Sequence, residues 1–148
     1  MILAVLDTNV LASGFVGFAD ADRAPGQLLR LWRDRRFSLV VSEDILTELR
    51  NTFMSAYFQR RLSPEHVTAA EQLLRQEAVM ISVHMHLVGV AAHPEDDLVL
   101  AAAISAQAAY LVTGDGPLLR LGNYAGVDIV SPRQFLTILQ VDSARNGQ

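Results

Sequence analysis

The amino-acid sequence predicts an α/β fold built on a central, mainly parallel sheet. Apolar runs of strand length recur along the chain, and segments with helical periodicity lie between them. Its 148 residues, 51% of them hydrophobic, suffice for one sizeable core.

The first strand is read at Ile2-Leu3-Ala4-Val5-Leu6, a continuous apolar run of the kind a strand buried on both faces requires. Residues 37–41, 79–83, 110–112 and 127–130 repeat that character. Between them, Leu28, Leu29 and Trp32 fall at helical spacing as core or interface residues. Ser42 can cap a helix that carries Ile45, Leu49 and Phe53 on one stripe, with Glu43 and Asp44 favourable in its first turn. Ser63-Pro64-Glu65 starts another helix, with proline at its first position. A further helix is expected from Pro94 through the alanine-rich residues 101–109, and Ser131-Pro132 opens a short last one through Phe135 and Leu139. Residues 14–26 read as a loop. No repeat or linker divides the chain, so residues 1–140 are expected to form one domain, with a polar, frayed tail over 141–148.

Charge and composition narrow the chemistry. The net charge is −4, so no strong positive field advertises nucleic acid. All twelve basic residues are arginine, which excludes lysine nucleophiles, Schiff bases and phosphate-binding lysines. There is no cysteine, hence no disulfide or thiolate chemistry. No apolar run approaches ~18 residues, so no membrane span is expected. The apolar opening is too short for a signal peptide, and a soluble cytoplasmic protein is the expectation.

Ligands of open parallel sheets bind beyond the carboxyl ends of the strands. Asp7-Thr8-Asn9 follows the first strand, Ser42 follows the second and opens the helix bearing Glu48, and Thr113-Gly114-Asp115 follows the strand ending at Val112. Glu95-Asp96-Asp97 begins the alanine-rich helix, whose start lies near the same rim. Each acid also has a structural reading. Asp7 could cap a helix, Glu48 could be a solvated charge, Asp97 could complement a helix N-terminus, and Asp115 could serve a turn. Taken together they point to chemistry, because two carboxylates ~4 Å apart repel by roughly 4 kcal/mol at an effective dielectric of about 20. A cluster therefore calls for protons or a hard cation such as Mg²⁺ or Mn²⁺. Such an ion suits hydrolysis of a phosphodiester.

The ordered set of Asp7-Thr8-Asn9-Val10-Leu11, Ser42 with Glu48-Leu49, Pro94-Glu95-Asp96-Asp97, and Val112-Thr113-Gly114-Asp115 resembles the PIN domain family. Within that family it is similar to the toxins of type II toxin–antitoxin systems, the VapC-like branch. The resemblance runs from Met1 to about Leu139. It implies a three-layer α/β/α fold and an Mg²⁺- or Mn²⁺-dependent endoribonuclease leaving a 5′-phosphate. Its implied acids are Asp7, Glu48, Asp97 and Asp115, which hold the metal, with Asn9 and Thr113 in support. Asp97 is preferred because the family's third acid lies sixteen residues before the threonine numbered 113 here; Asp96 is the alternative. A homodimer and a cognate antitoxin are implied as partners besides RNA. The sequence departs from the pattern at His93, where relatives often carry an acid before the proline; His93 could sit near the metal site or contact RNA, and it is not assigned as a ligand.

Other readings fit less well. A phosphorylated receiver domain and a haloacid-dehalogenase-type phosphatase both rely on a lysine, and neither a G-x-G-x-x-G segment nor a Gly-Lys pair is present. A non-catalytic binding module with the same fold is the alternative. His84 and His86 alternate on a strand-like segment and read as packing or surface. Arg33, Arg35 and Arg36 could meet phosphates or simply face solvent.

Overall fold

A computed structural model describes residues 1–18 and 22–146. Among the described residues, six strands form one sheet in the order β3-β2-β1-β4-β6-β5. At its centre β1 (Leu3–Leu6) pairs in parallel with β2 (Ser38–Val41) on one side and β4 (Tyr110–Val112) on the other. Outward, β2 pairs in parallel with β3 (Val79–Met80) and β4 with β6 (Val127–Val130). Only β5 (Asn123–Tyr124), on the far edge, runs antiparallel. Helices flank this sheet, giving the expected α/β architecture with a mainly parallel core.

Local sequence explains most of the helix boundaries. The side chain of Asp7 caps α1 (Thr8–Val16), Ser42 caps α3 (Glu43–Phe53), and Ser63 caps α5 (Pro64–Glu77), each accepting a backbone N–H of the first turn. The short α4 (Ala56–Gln59) seats Phe58 against Phe53. Helix α6 (Pro94–Ser105) buries Val99, Leu100 and Ala101 to Ala103, and its small side chains let it lie against β1, β2 and β4. It ends before the expected 101–109 stretch is complete. Gln107 turns into the left-handed region, and the Ala109 N–H then donates to the Leu3 carbonyl at 2.9 Å, so the chain joins the sheet there. After β4, α7 (Gly116–Leu121) buries Leu118, and α8 (Pro132–Asn146) buries Phe135 and Leu139. The Phe135 ring stands edge-on to Phe37 with centroids 5.1 Å apart.

Three local expectations need correction. Residues 14–26 are not a continuous loop, because α1 continues through Val16 and α2 (Ala24–Arg33) begins soon after. Gly14 is a packing residue, not a breaker: a Cβ there would lie 2.8 Å from Leu29 Cγ and 3.0 Å from the Pro25 carbonyl oxygen. Residues 19–21 of that stretch lie outside the described residues. The expected strand over 79–83 reduces to Val79 and Met80, both exposed, and 81–88 follow without regular structure. His84 and His86 are therefore exposed residues of an irregular segment, not neighbours on a strand face. The expected frayed tail is helical through Asn146, where an Asn146 to Asp142 hydrogen bond of 3.2 Å and an Arg36 to Ser143 contact hold the last turns. Residues 147 and 148 lie outside the described residues.

Helices α1 and α2 cross at Gly14, so Gly14→Ala is expected to cost about 1–3 kcal/mol through overpacking. Thermal denaturation checks this. Gly114→Ala, whose new Cβ would meet nothing within 4 Å, should melt close to the wild type.

Candidate active site

The two central strands set up the site. From β1 the chain moves to β2 on one side, and from β4 it moves to β6 on the other, so a crevice opens beyond their carboxyl ends. Asp7 emerges from β1 and its N–H donates to the Val112 carbonyl at 2.9 Å, which carries the strand pairing one residue further. One oxygen of its carboxylate accepts the Val10 N–H at 2.8 Å and closes the first turn of α1. The other accepts a short hydrogen bond from the Thr113 hydroxyl.

Thr113 is fully buried, and its Oγ1 also accepts the Asp115 N–H at 3.0 Å. An Asp115 carboxylate oxygen accepts the Leu118 N–H at 3.0 Å and caps α7. Asp7, Thr113 and Asp115 thus form a continuous hydrogen-bonded chain from the end of β1 to the start of α7. Burial pushes the Asp7 carboxyl above its ordinary range, the bonds from Thr113 and Val10 pull it back, and the nearby Asp115 charge adds to the rise.

Asp96 enters from the first turn of α6. Its carboxyl is pushed up to about 6, first by burial and then by the charges of Asp115 and Asp7, against the opposing pull of His93. These groups share a cavity of about 570 Å³ with Asn9, Ser13, His93 and Glu95 along its wall. A second cavity, of about 410 Å³, lies at the opposite end of the strands beside Met1, Trp32, Arg33, Arg35 and Glu77. It has a single acid, so the carboxylate chemistry belongs to the first. Arg33, Arg35 and Arg36 do not line the acidic cavity.

Of the four acids the resemblance implied, Asp7 and Asp115 meet in the cavity and the other two do not line it. Glu48 is half-buried on α3. Asp97 is buried with its carboxylate on another face of α6, where it accepts the Gly89 N–H at 3.1 Å and the Ala91 N–H at 2.7 Å. Successive residues of a helix point about 100° apart, so neighbouring Asp96 and Asp97 cannot share one target. Asp96, the alternative third acid, takes the cavity. Of the supporting residues, Asn9 lines the wall and Thr113 lies beneath it. Glu95, placed near the rim by the sequence but given no role, joins the wall, and Ser13 was missed. Ser13 follows Asn9 by one helical turn, which would have placed it on the same face once α1 was recognised.

Among the described residues no three His, Cys, Asp or Glu side chains stand close enough together to hold a metal ion. The donors of the cavity are nonetheless carboxylate oxygens, and their neighbouring charges raise the proton affinity of Asp7 and Asp96. That chemistry fits a hard divalent cation, with side-chain rotation needed to bring three of them onto one ion.

Two outcomes follow. Because Asp96 is raised in the fold, the folded protein holds a proton between pH 4 and 6 that the unfolded chain has released. Stability should therefore fall as pH rises through that window. Asp96→Asn should lessen the fall, since Asp7 contributes one of the same sign, and, after discounting for solvent screening, raise stability at pH 7 by about 1 kcal/mol in metal-free buffer. Melting curves against pH read both. Asp97→Ala should leave the Gly89 and Ala91 amides without acceptors, so their hydrogen exchange should quicken about tenfold relative to amides of β1.

The fold is similar to that of a chain in the structure of VapBC2 from Rickettsia felis bound to a DNA fragment from their promoter. The TM-score is 0.54 at 14% identity, over 88% of this chain and 98% of that one, a likeness of fold alone. No curated relative matches in sequence. Residues 4–116 match the PIN domain family, a span that includes all but the first residue of β1, the whole of α6 and β4, and every acid of the cavity. The chain belongs to the PIN domain family.

Proposed function

We propose that this PIN domain is a divalent-metal-dependent endoribonuclease and the toxin of a type II toxin–antitoxin pair, acting in the cytoplasm. PIN domains are generally nucleases. The observation that carries the reading is the meeting of Asp7, Asp96 and Asp115, from three separate parts of the chain, in one cavity beyond the ends of β1 and β4.

In this reading Asp7, Asp96 and Asp115 hold the cation, Mg²⁺ or Mn²⁺, and Thr113 fixes Asp7 and Asp115 relative to one another. The cation supplies charge neutralisation and Lewis acidity to the phosphodiester. Asn9 and Ser13, one turn apart on α1, offer hydrogen bonds to the strand. The burial and neighbouring charges that raise the proton affinity of Asp96 are offset when a cation takes the place of the proton. A cognate antitoxin covering the acidic cavity and a homodimer that completes the RNA groove are the partners the reading implies. The R. felis neighbour, itself part of a toxin–antitoxin assembly by name, supports the partner.

The absence of a ready three-ligand cluster among the described residues favours one second reading, a binding module of the same fold without catalysis. One experiment separates the two. Single-stranded RNA should be cut with Mg²⁺ or Mn²⁺, and both chelator and Asp7→Asn should lower the rate at least about a hundredfold. The same cations should raise the melting temperature of the wild type but not of Asp7→Asn. Cleavage that survives chelator and substitution would exclude the nuclease reading.

A further inference from the structure

The acidic cavity presents a problem for any nucleic-acid substrate. Its charged wall is made of Asp7, Glu95, Asp96 and Asp115, and a phosphodiester is itself an anion. The chain has no lysine, and none of its twelve arginines lines the cavity. Among the described residues, His93 is the one lining side chain able to carry positive charge. In either neutral tautomer one ring nitrogen still bears a proton, so it can donate to a phosphate oxygen whether or not it is charged.

The position of His93 is well defined while its ring is left uncommitted to the helix. It precedes Pro94 at the N-cap of α6, yet its side chain makes no capping bond, unlike those of Asp7, Ser42, Ser63 and Asp115. Its carbonyl accepts the Asp96 N–H at 3.0 Å and the Asp97 N–H at 3.3 Å, which ties its backbone to the first turn. The segment leading to it is clasped by the buried Asp97 carboxylate through Gly89 and Ala91. The residue is exposed at the cavity mouth, close enough to Asp96 to oppose the rise in its proton affinity.

We propose that His93 is the substrate-binding residue that grips a backbone phosphate of the nucleic-acid strand at the mouth of the acidic cavity. This rests on the nuclease reading of that cavity, and it assigns Asp97 the task of holding the segment that carries the imidazole.

The test uses a short, end-labelled single-stranded RNA and its DNA counterpart. Binding is read by anisotropy with Ca²⁺ in place of Mg²⁺ on the protein with Asp7 intact, with and without His93→Leu or His93→Gln. Cleavage is read with Asp7 intact. His93→Leu should weaken binding of both strands and raise KM for RNA by about tenfold, the weight of one charge-assisted hydrogen bond, with kcat within about twofold. His93→Gln, which restores an uncharged donor, should recover most of the loss. Because the residue is exposed, unchanged melting curves are expected for both variants.

Unaltered binding and KM in His93→Leu would overturn the inference while Asp7-dependent cleavage kept the nuclease reading intact. Weakened binding in His93→Leu without any cleavage by the wild type would do the reverse. A loss confined to RNA would also overturn it, since a phosphate contact is common to both strands, and so would failure of the Asp7-intact protein to bind either strand.

Discussion

The structure depends on the hydrogen-bonded chain that joins Asp7 to Asp115 through the buried hydroxyl of Thr113. It spans two strands that are neighbours in space and more than a hundred residues apart in sequence. A hydroxyl can donate once and accept from others, so one small side chain satisfies a carboxylate on one strand and a backbone amide on the next. Removing that hydroxyl would leave a carboxylate oxygen and an amide without their common partner in a place where water has poor access. The same link fixes the relative position of two helices, because the carboxylates it connects are the caps of α1 and α7.

Capping and chemistry are therefore not competing explanations for Asp7 and Asp115. A carboxylate oxygen has two lone-pair sites, so an oxygen that accepts an amide from the first turn of a helix retains capacity for another partner. The capping bond selects the rotamer that points toward the crevice. The cost appears in proton affinity: burial and mutual repulsion raise Asp7 and Asp96, and the fold tolerates them because hydrogen bonds to Asp7 and partial solvent access to Asp96 limit the rise. Acids held in this state gain most from a cation, which connects the electrostatics of the metal-free protein to the proposed activity.

The first turn of α6 divides its labour in a similar way. Asp96 faces the cavity, Asp97 anchors the irregular segment before the helix, and His93 sits at the junction of the two. That segment continues from the two-residue β3 with one further bond to the sheet, from the Ile81 N–H to the Val41 carbonyl, and packs Ile81, Val83, Leu87, Val90 and Ala91 against the core without regular structure. A buried carboxylate with two amide donors adds a polar anchor at the end of that segment, directly behind the residues that line the site.

The sequence by itself determined the parallel α/β class, four of the strands nearly to their ends, the serine and aspartate caps, and the acids that follow β1 and β4. All of these are set by local periodicity, by capping chemistry, or by the rule that ligands gather at the carboxyl ends of strands. Only the tertiary structure decided between Asp96 and Asp97, put Glu48 outside the cavity, and made Gly14 a close-packed helix residue. Each of those outcomes rests on the angular setting of a helix against a distant partner: α6 against the 89–91 segment and α1 against α2. A residue's spacing along its own helix fixes the faces available to it. Which face meets the crevice is settled by contacts far away in the chain.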